Sequence, residues 1–358
     1  MPSLKEIKGR INSISSTLAI TSAMKMVAAA KLQKAQMAIQ NMLPYERRLH
    51  SMLIDLMGAM NISAAASEDG SVRGSGSAER GFDQSGDRLS LSNRHDLAGM
   101  DGAYSLMAQR EVRKVAIVAF ASNSSLCGAF NSNVIREATA VINEYRASGL
   151  GDADITVYSV GRKMAEAMKK LGFPSPADFT KMSDSPSYDA ASALAQELFD
   201  GFVSGRFDKV ELVYNHYKST SSQPTTRQTY LPLSLADAIA DLQAGKIADS
   251  ASESDTNRGA EPVGAPVVRQ GSPTTEDLIV EPSKEALIAT LLPKVIRLRI
   301  FTTLLDSAAA EHAARTVAMQ LATDNGNDLL QELTLEYNKG RQQKITSEIL
   351  DLVGGSMQ

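Results

Sequence analysis

The chain has 358 residues, of which 43% are hydrophobic and 22% charged, and its formal net charge is −4. This length is enough for two domains, and the weakly acidic balance argues against a protein that binds nucleic acid through bulk charge. A single cysteine, four scattered histidines and the lack of an apolar segment of membrane-spanning length argue against a disulfide framework, a multi-thiolate metal site and direct membrane insertion.

The first predicted element is a long helix over residues 1–61. Its apolar residues recur at alternating steps of three and four, which is the 3.5-residue period of a coiled-coil seam. Ser3 and Glu6 form a capping-box pattern at the start, whereas Pro44 should kink or pause the helix. The predicted seam positions are Leu4, Ile7, Ile11, Ile14, Leu18, Thr21, Met24, Ala28, Leu32, Ala35 and Ile39.

This helix is also basic. Its first 48 residues contain eight lysines and arginines and two glutamates. One interpretation is an ordinary solvated helix face, and the other is a surface that contacts an acidic partner.

A compact α/β domain is predicted over residues 111–233, between two polar segments. Residues 62–110 and 234–276 are polar and have little apolar periodicity, so we interpret both as flexible insertions. Within the domain, strand patterns alternate with helical patterns, which predicts a largely parallel sheet. The predicted strands are 114–121, 155–160, 208–217 and 225–233, and the predicted helices are 129–147, 162–171 and 188–204.

The last predicted element, residues 277–358, is a second very long helix. Pro293 should interrupt its early part, after which an unbroken helix is expected from Lys294 to about Val353. A Gly-Gly pair ends it. One side of its final turns, with the sequence ITSEILDLV, is apolar.

Two helices of this length need partners for their apolar stripes. The economical arrangement is an antiparallel coiled coil of the N- and C-terminal helices, with a central Rossmann-like α/β domain beside one end. The predicted fold class is therefore α/β plus long helices. If the C-terminal helix is the longer of the two, its apolar tip overhangs and should lie in a partner's sleeve rather than in water.

Long motifs at both ends carry a resemblance to a known family. The N-terminal motif is SLKEIKGRINSISSTLAITSAMKMVAAAKLQKAQ, and the C-terminal motif is EHAARTVAMQLATDNGNDLLQELTLEYNKGRQQKITSEILDLVGG. Shorter motifs lie in order between them, namely LCGAFN at 126–131, YLPL at 230–233 and VEPSKEAL at 280–287. With these residues the chain resembles the gamma subunits of F-type ATP synthases, of the bacterial type with two enlarged insertions.

This resemblance implies a central rotary shaft without catalytic sites of its own. The coiled coil would turn inside a ring of three alpha and three beta subunits, and proton-driven rotation of the membrane c-ring would thereby couple to ATP synthesis or hydrolysis. The globular end would rest on the c-ring and bind the epsilon subunit. The implied location is peripheral, on the cytoplasmic face of the bacterial inner membrane, with no cofactor, metal or nucleic acid bound.

The resemblance also implies which residues contact the catalytic ring. Met24 and Lys25, in the motif SAMKM, align with the part of the shaft that packs near the beta-subunit lever. Polar contacts with the ring are implied for Arg315, Gln342 and Thr346. An apolar bearing is implied for the tip residues Ile345, Ile349, Leu352 and Val353.

Residue chemistry alone leaves alternatives open for these positions. Met24 also suits a coiled-coil core, and Arg315 a solvated charge. Gln342 and Thr346 also suit an ordinary helix surface. Away from them, we interpret Cys127 as a small buried hydrophobic residue and not a nucleophile. We interpret His312 as a packed histidine and not a base.

Two other classes of protein compete with the shaft. The central domain alone suggests an α/β enzyme, but the segment SNSSLCGAFN after the first strand has neither the glycine fingerprint nor the Walker spacing of a nucleotide loop. A coiled-coil structural adaptor without a role in ATP synthesis accounts for the rod, but not for the paired terminal motifs.

Overall fold

The computed structural model describes residues 3–59, 106, 110–233 and 284–355. Two long helices, α1 (Leu4–Ala59) and α6 (Lys284–Gly355), flank a four-stranded sheet in this part of the chain. The predicted insertions lie outside the described residues, except at Leu106 and Arg110. The strands are β1 (Val115–Phe120), β2 (Ile155–Val160), β3 (Lys209–Asn215) and β4 (Thr225–Leu231), and the shorter helices are α2 (Phe130–Ala147), the 3-10 turn Asp152–Asp154, α3 (Arg162–Lys170), α4 (Thr180–Asp184) and α5 (Tyr188–Val203).

The sheet is mixed, with the strand order β2-β1-β3-β4. β1 pairs in parallel with β2 and β3, whereas β4 runs antiparallel beside β3. The sequence of β1, VAIVAF, is apolar throughout because both faces of this strand are covered, and each of its residues is at most 1% exposed. All four predicted strands are confirmed, with ends shifted by at most two residues. The short helix α4 was not predicted.

Helices cover both faces of the sheet. α2 and α3 pack on one face, where Val134 and Met164 are fully buried. On the other face, α5 packs together with the first part of α6 and the last turns of α1, through residues such as Leu198, Leu292 and Leu53. The sheet and the helices on it, which we call the sheet domain, therefore share a hydrophobic core with the two long helices.

The seam of α1 has a strict coiled-coil period. Every position at alternating steps of three and four from Leu4 to Leu53 is buried or partly covered. The predicted seam is wrong at one position, because Lys25 lies on it and Met24 is 40% exposed. Steps of four and three from Thr21 place residues 25 and 28 on the seam. Residue 24 falls outside it, although methionine is the more apolar of the two side chains.

α6 carries the matching seam and runs antiparallel to α1. The hydroxyls of Thr21 and Thr323 lie 3.1 Å apart, and further along the seam Leu18 faces Gly326 and Leu4 faces Gly340. The register is therefore constant from one end of this contact to the other. The covered seam positions of α6 are Thr316, Met319, Thr323, Gly326, Leu330, Leu333, Tyr337 and Gly340.

Both long helices continue through their prolines. α1 does not pause at Pro44, and α6 begins at Lys284 and passes through Pro293, so the predicted interruption at Pro293 is wrong. A proline inside a helix removes one backbone hydrogen bond. Around Pro293 the burial of Leu292 and Val295, each at most 1% exposed, offsets that loss.

α6 extends beyond the start of α1. Its last contact in the seam is Gly340, which faces Leu4 near the beginning of α1. Residues 341–355 continue as helix for about 22 Å, at 1.5 Å per residue. We call this segment the overhang, and its side chains from 341 to 353 are all exposed.

Candidate partner-contact surface

The outer side of α1 carries an apolar strip beside the seam. Ile20, Met24 and Val27 follow one another at steps of four and three, and they are 57%, 40% and 58% exposed. Lys25 is partly covered on the seam next to them. Because it lies outside the seam, Met24 is not a coiled-coil core residue, and its thioether is accessible from outside the rod.

Arg315 lies where the coiled coil meets the loop after β1. Its guanidinium donates hydrogen bonds to the Ser125 carbonyl (Nη1–O 2.6 Å) and to Glu311 (Nη2–Oε1 2.7 Å). The Arg315 and Glu311 side chains are only 15% and 10% exposed, so the alternative of a solvated charge is wrong. A partner that binds this guanidinium has to compete with Glu311 and Ser125 for it.

The loop after β1 turns sharply at two residues with positive φ. Leu126 has a φ of 69° and Gly128 a φ of 58°. Asn131, in the first turn of α2, accepts a hydrogen bond from the Ser122 N–H (3.0 Å) and donates one to the Cys127 sulfur (3.1 Å). Cys127 is 1% exposed, which confirms its interpretation as a small buried residue. Leu126, in contrast, is 59% exposed at the outside of the loop.

The carboxyl edge of the sheet is closed by α6. α/β sheets commonly bind their ligands in the crevice at this edge. Here a cavity of about 10 Å³ remains, with Ser183, Ser307 and Glu311 among its lining residues. That volume holds about one water molecule, so α6 fills the crevice in which such sheets commonly bind a ligand.

Burial shifts the pKa values of two neighbouring side chains on α6. It raises the pKa of Glu311, although Arg315 acts in the opposite direction. Burial, together with the nearby Lys31 and Arg315, lowers the pKa of His312 to about 4. The His312 Nδ1 atom is buried and has no hydrogen-bond partner among the described residues. His312 is therefore neutral at pH 7, which agrees with the interpretation of a packed histidine.

The overhang presents its apolar residues on one half of the helix. Ile345, Ile349 and Leu352 are 47%, 54% and 74% exposed. Gln342 and Thr346 are exposed on the same half, and the Thr346 hydroxyl donates to the Gln342 carbonyl (2.9 Å). The structure thus brings the predicted contact residues of the tip onto one surface, formed by Gln342, Ile345, Thr346, Ile349, Leu352 and Val353.

The predicted contact residues form two groups along the two long helices. In the register set by Thr21 and Thr323, Met24 and Lys25 lie about one helical turn from Arg315 along the coiled coil, and the second group lies on the overhang. Arg315 and Gln342 are about 40 Å apart along α6, at 1.5 Å per residue. A single small ligand cannot touch both groups, whereas a long sleeve of subunits can.

A second polar connection, which was not predicted from the sequence, joins the sheet domain to α6. Asp306 on α6 accepts a hydrogen bond from the Tyr217 N–H (2.9 Å), and its other carboxylate oxygen lies 2.6 Å from His216 Nδ1. No pattern in the sequence links Asp306 to the end of β3. The connection follows only from the topology, which places the end of that strand against α6.

The chemistry offered by these surfaces is hydrogen bonding and apolar contact along a rod. Among the described residues, no group of three or more His, Cys, Asp or Glu side chains is arranged to hold a metal ion. None of the helices in the described ranges combines the length and the hydropathy needed to cross a bilayer.

Comparison with known sequences identifies relatives along the whole chain. The family model described as ATP synthase matches residues 3–357. The chain is 47% identical to the ATP synthase gamma chain of Phocaeicola vulgatus and 45% identical to that of Bacteroides thetaiotaomicron, and each alignment covers 100% of both chains. The alignments therefore run through residues 62–110 and 234–276.

Two solved structures share the fold. The rotor of the Euglena gracilis mitochondrial ATP synthase in rotational state 1 matches with a TM-score of 0.51 and 18% identity, over 96% of this chain and 98% of that chain. The OSCP/F1/c-ring structure of the same enzyme in rotational state 3 matches with a TM-score of 0.52 and 18% identity, over 99% and 93%. These likenesses concern the fold, whereas the family model and the relatives establish descent. The chain belongs to the ATP synthase gamma chain family.

Proposed function

We propose that this chain is the gamma subunit of an F-type ATP synthase, the central-stalk rotor that couples proton-driven rotation of a membrane ring to ATP synthesis or hydrolysis. In this role the chain is non-catalytic, and the nucleotide chemistry takes place on an alpha3beta3 ring around it. The observation that carries the proposal is the antiparallel coiled coil whose longer helix overhangs the shorter one and exposes apolar side chains there. Family membership supports the same role.

The asymmetry of the rod explains how rotation acts on the ring. One side of α1 carries the exposed strip of Ile20, Met24 and Val27, and the tip of the shaft is a single helix. Subunits arranged around such a rod each face a different surface of it. Each angle of the shaft favours the subunit conformation that contacts the facing surface best, so rotation shifts every catalytic subunit through its conformations in turn.

Torque also needs a rigid connection between the sheet domain and the rod. A shared core supports that connection, because Leu49 and Leu53 of α1 and Leu292 and Ile296 of α6 pack with the sheet and are at most 6% exposed. Turning the sheet domain relative to the rod would expose these side chains, at a cost of about 1.5–3 kcal/mol for each. The two parts therefore turn together.

The predicted contacts divide between two heights of the shaft. Met24 and Lys25 face the beta-subunit lever, and Arg315 makes a polar contact at the same height. Gln342 and Thr346 make polar contacts deeper in the bore of the ring. The apolar bearing is formed with Ile345, Ile349, Leu352 and Val353.

The remaining partners and the location follow from the same role. The sheet domain rests on the c-ring and binds the epsilon subunit, and the complex lies on the cytoplasmic face of a bacterial inner membrane, where this chain is peripheral. Residues 62–110 and 234–276 are insertions that are enlarged relative to shorter members of the family. The family resemblance of the terminal motifs supports these assignments.

Reconstitution tests the proposed function. The full chain is combined with the alpha and beta subunits of its complex, and it is compared with a variant that lacks residues 342–358. We expect no ATP hydrolysis by the chain alone, a stable complex with the intact chain, and weaker assembly and lower torque with the truncated chain.

Two results would contradict the proposal. If assembly, coupling and torque are all unchanged by the truncation, the overhang is not a bearing. If a tagged full chain recovers no alpha, beta or epsilon subunits, the structural-adaptor alternative is favoured.

A further inference from the structure

The connection between β3 and β4, residues 216–224, is a compact hairpin that reaches the coiled coil. Its ends are joined by a hydrogen bond from the His216 N–H to the Pro224 carbonyl (2.9 Å). At its tip, Ser219 and Ser222 exchange backbone hydrogen bonds of 3.1 and 3.2 Å. Because the hairpin continues two paired strands, the sheet fixes its position.

Tyr217 of this hairpin lies between the sheet domain and both long helices. Its ring packs with Leu32 of α1 and with Ala309 and Ala313 of α6. It also contacts the cluster that contains Phe130 of α2. The partly buried tyrosine side chain therefore lies against a cluster to which both long helices contribute.

Polar groups fasten the same hairpin to each long helix. On the α1 side, Gln36 Nε2 donates to the Tyr217 hydroxyl at 2.7 Å. On the α6 side, Asp306 uses both carboxylate oxygens, one for the Tyr217 N–H and one for His216 Nδ1. The Asp306 side chain is 18% exposed and that of His216 is 51% exposed. Solvent protons therefore reach His216, while Asp306 is largely enclosed.

We propose that hairpin 216–224 is a protonation-sensitive clamp that holds the sheet domain on the coiled coil. The clamp is tight when His216 is charged, because an imidazolium gives Asp306 a charge-assisted hydrogen bond, and it is looser when the imidazole is neutral. In an assembled ATP synthase the clamp would help to transmit torque between the sheet domain and the coiled coil, and this role rests on the proposed function. The clamp itself is a property of the folded chain alone.

The charges around His216 determine the direction of the pH dependence. Asp306, on α6, raises the pKa of His216, while partial burial and Lys218 of the hairpin act to lower it. On the α1 side, the uncharged amide of Gln36 contacts the neighbouring Tyr217 hydroxyl and adds no charge beside His216. Since the folded-state pKa is raised, the stabilisation is complete below the unfolded value of about 6.5 and is lost as the pH rises through the folded-state value.

A histidine titration by NMR on the full chain tests the pairing. In the wild-type chain we expect His216 to titrate above its ordinary pKa, and in the Asp306→Asn variant we expect its pKa to fall back toward that value. Asp324→Asn is the matched control, because Asp324 also lies on α6 and accepts hydrogen bonds, but from Gln320. This control should leave the His216 titration unchanged.

Hydrogen exchange tests the mechanical consequence. After correction for intrinsic exchange rates, the hairpin amides of the wild-type chain should open roughly two- to fivefold more at pH 8.5 than at pH 6, the range expected for a partly exposed ion pair. This dependence should disappear in both Asp306→Asn and His216→Gln.

The proposal is overturned if His216 titrates at its ordinary pKa in the wild-type chain. It is also overturned if the hairpin amides of the wild-type chain are equally protected at both pH values. Neither readout involves the catalytic ring, so these failures would leave the proposed shaft function standing. Conversely, failure of the chain to bind the ring would leave the clamp intact.

Discussion

Gly161, at the end of β2, shows how a single residue position is constrained by the backbone around it. Its φ is 95°, and a Cβ placed there would lie 2.0 Å from the Ala121 carbonyl oxygen. Gly149 has nearly the same φ, 96°, but open space around it. Both positions therefore require glycine for its positive φ, but only Gly161 also requires it because neighbouring backbone leaves no room for a Cβ atom.

We predict that Gly161→Ala lowers the free energy of unfolding by about 2–4 kcal/mol, because it combines a strained φ with a clash against backbone. Gly149→Ala should cost only about 1–2 kcal/mol, since it adds the φ strain alone. Denaturant unfolding of the two variants measures the difference. Equal losses would show that the contact with Ala121 is relieved by a small shift.

His312 provides a pH prediction at the same scale. Its folded-state pKa of about 4 lies below the unfolded value, so this residue reduces stability as the pH falls from about 6.5 toward 4. Between pH 7 and pH 5, His312→Leu should remove about 1 kcal/mol of the acid-induced loss, allowing for partial exposure of the ring. Denaturant midpoints at the two pH values measure this.

The control for this prediction is His216→Gln, which should act in the opposite direction, because the pKa of His216 is raised. If both variants raise, or both lower, the loss of unfolding free energy between pH 7 and pH 5, the described environments of His312 and His216 are wrong.

Residue roles were only partly predictable from the sequence. The exposure of Ile349 and Leu352 was predictable, because a longer helix must overhang a shorter one. The hydrogen bond from Arg315 to Ser125 was not, since Ser125 lies in a loop whose position depends on the sheet. The sequence around an arginine does not show whether its guanidinium is solvated or bonded to a backbone carbonyl of the same chain.

At the scale of elements, the coiled coil depends on small residues opposite large ones. Gly326 faces Leu18 and Gly340 faces Leu4. A Cβ atom added at Gly326 would lie 2.7 Å from the nearest Leu18 atom, and one added at Gly340 would lie 3.1 Å from the nearest Leu4 atom. These glycines let the two helices approach closely and fix their register. Leucine knobs on α1 thus insert where α6 has no side chain.

We predict that this register can be trapped covalently. The double variant Thr21→Cys/Thr323→Cys should form an intrachain disulfide on mild oxidation, because the two hydroxyls are 3.1 Å apart. Thr21→Cys/Leu330→Cys is the control, one heptad or about 10 Å further along α6. The native thiol does not interfere, since Cys127 is 1% exposed. Preferential cross-linking of the control pair, measured by electrophoretic mobility without reductant, would contradict the register.

Element types were more predictable than element details. The strands and the two long helices follow from periodicity, which reports burial on one face or on both. The five-residue helix α4 (Thr180–Asp184) is too short to show a period. The continuity of α6 through Pro293 was not predictable either, because it depends on packing against the sheet and not on local propensity.

At the scale of the whole molecule, substitutions on the overhang should weaken partner binding without changing the stability of the isolated chain. Ile349→Ser/Leu352→Ser removes exposed apolar side chains, so the free energy of unfolding of the isolated chain should change by less than about 0.5 kcal/mol. If a bearing buries these side chains, the affinity for the catalytic ring should fall roughly tenfold or more. Unfolding and binding assays on the same variant test both expectations.

Asp351→Ser is the matched control, because Asp351 lies on the opposite side of the same helical turn and is exposed. It should leave both stability and ring affinity unchanged. A loss of affinity with Asp351→Ser equal to that of the apolar variant would mean that the bearing does not select the apolar side.

The most direct measurement of the central claim is rotation of the sheet domain relative to an assembled alpha3beta3 ring that encloses the coiled coil. A bead is attached through Lys170→Cys on the exposed end of α3, with the ring fixed to a surface, and ATP is added. The account predicts unidirectional rotation of the bead that stops when ATP is removed. A bead that stays still while the ring continues to hydrolyse ATP would contradict it.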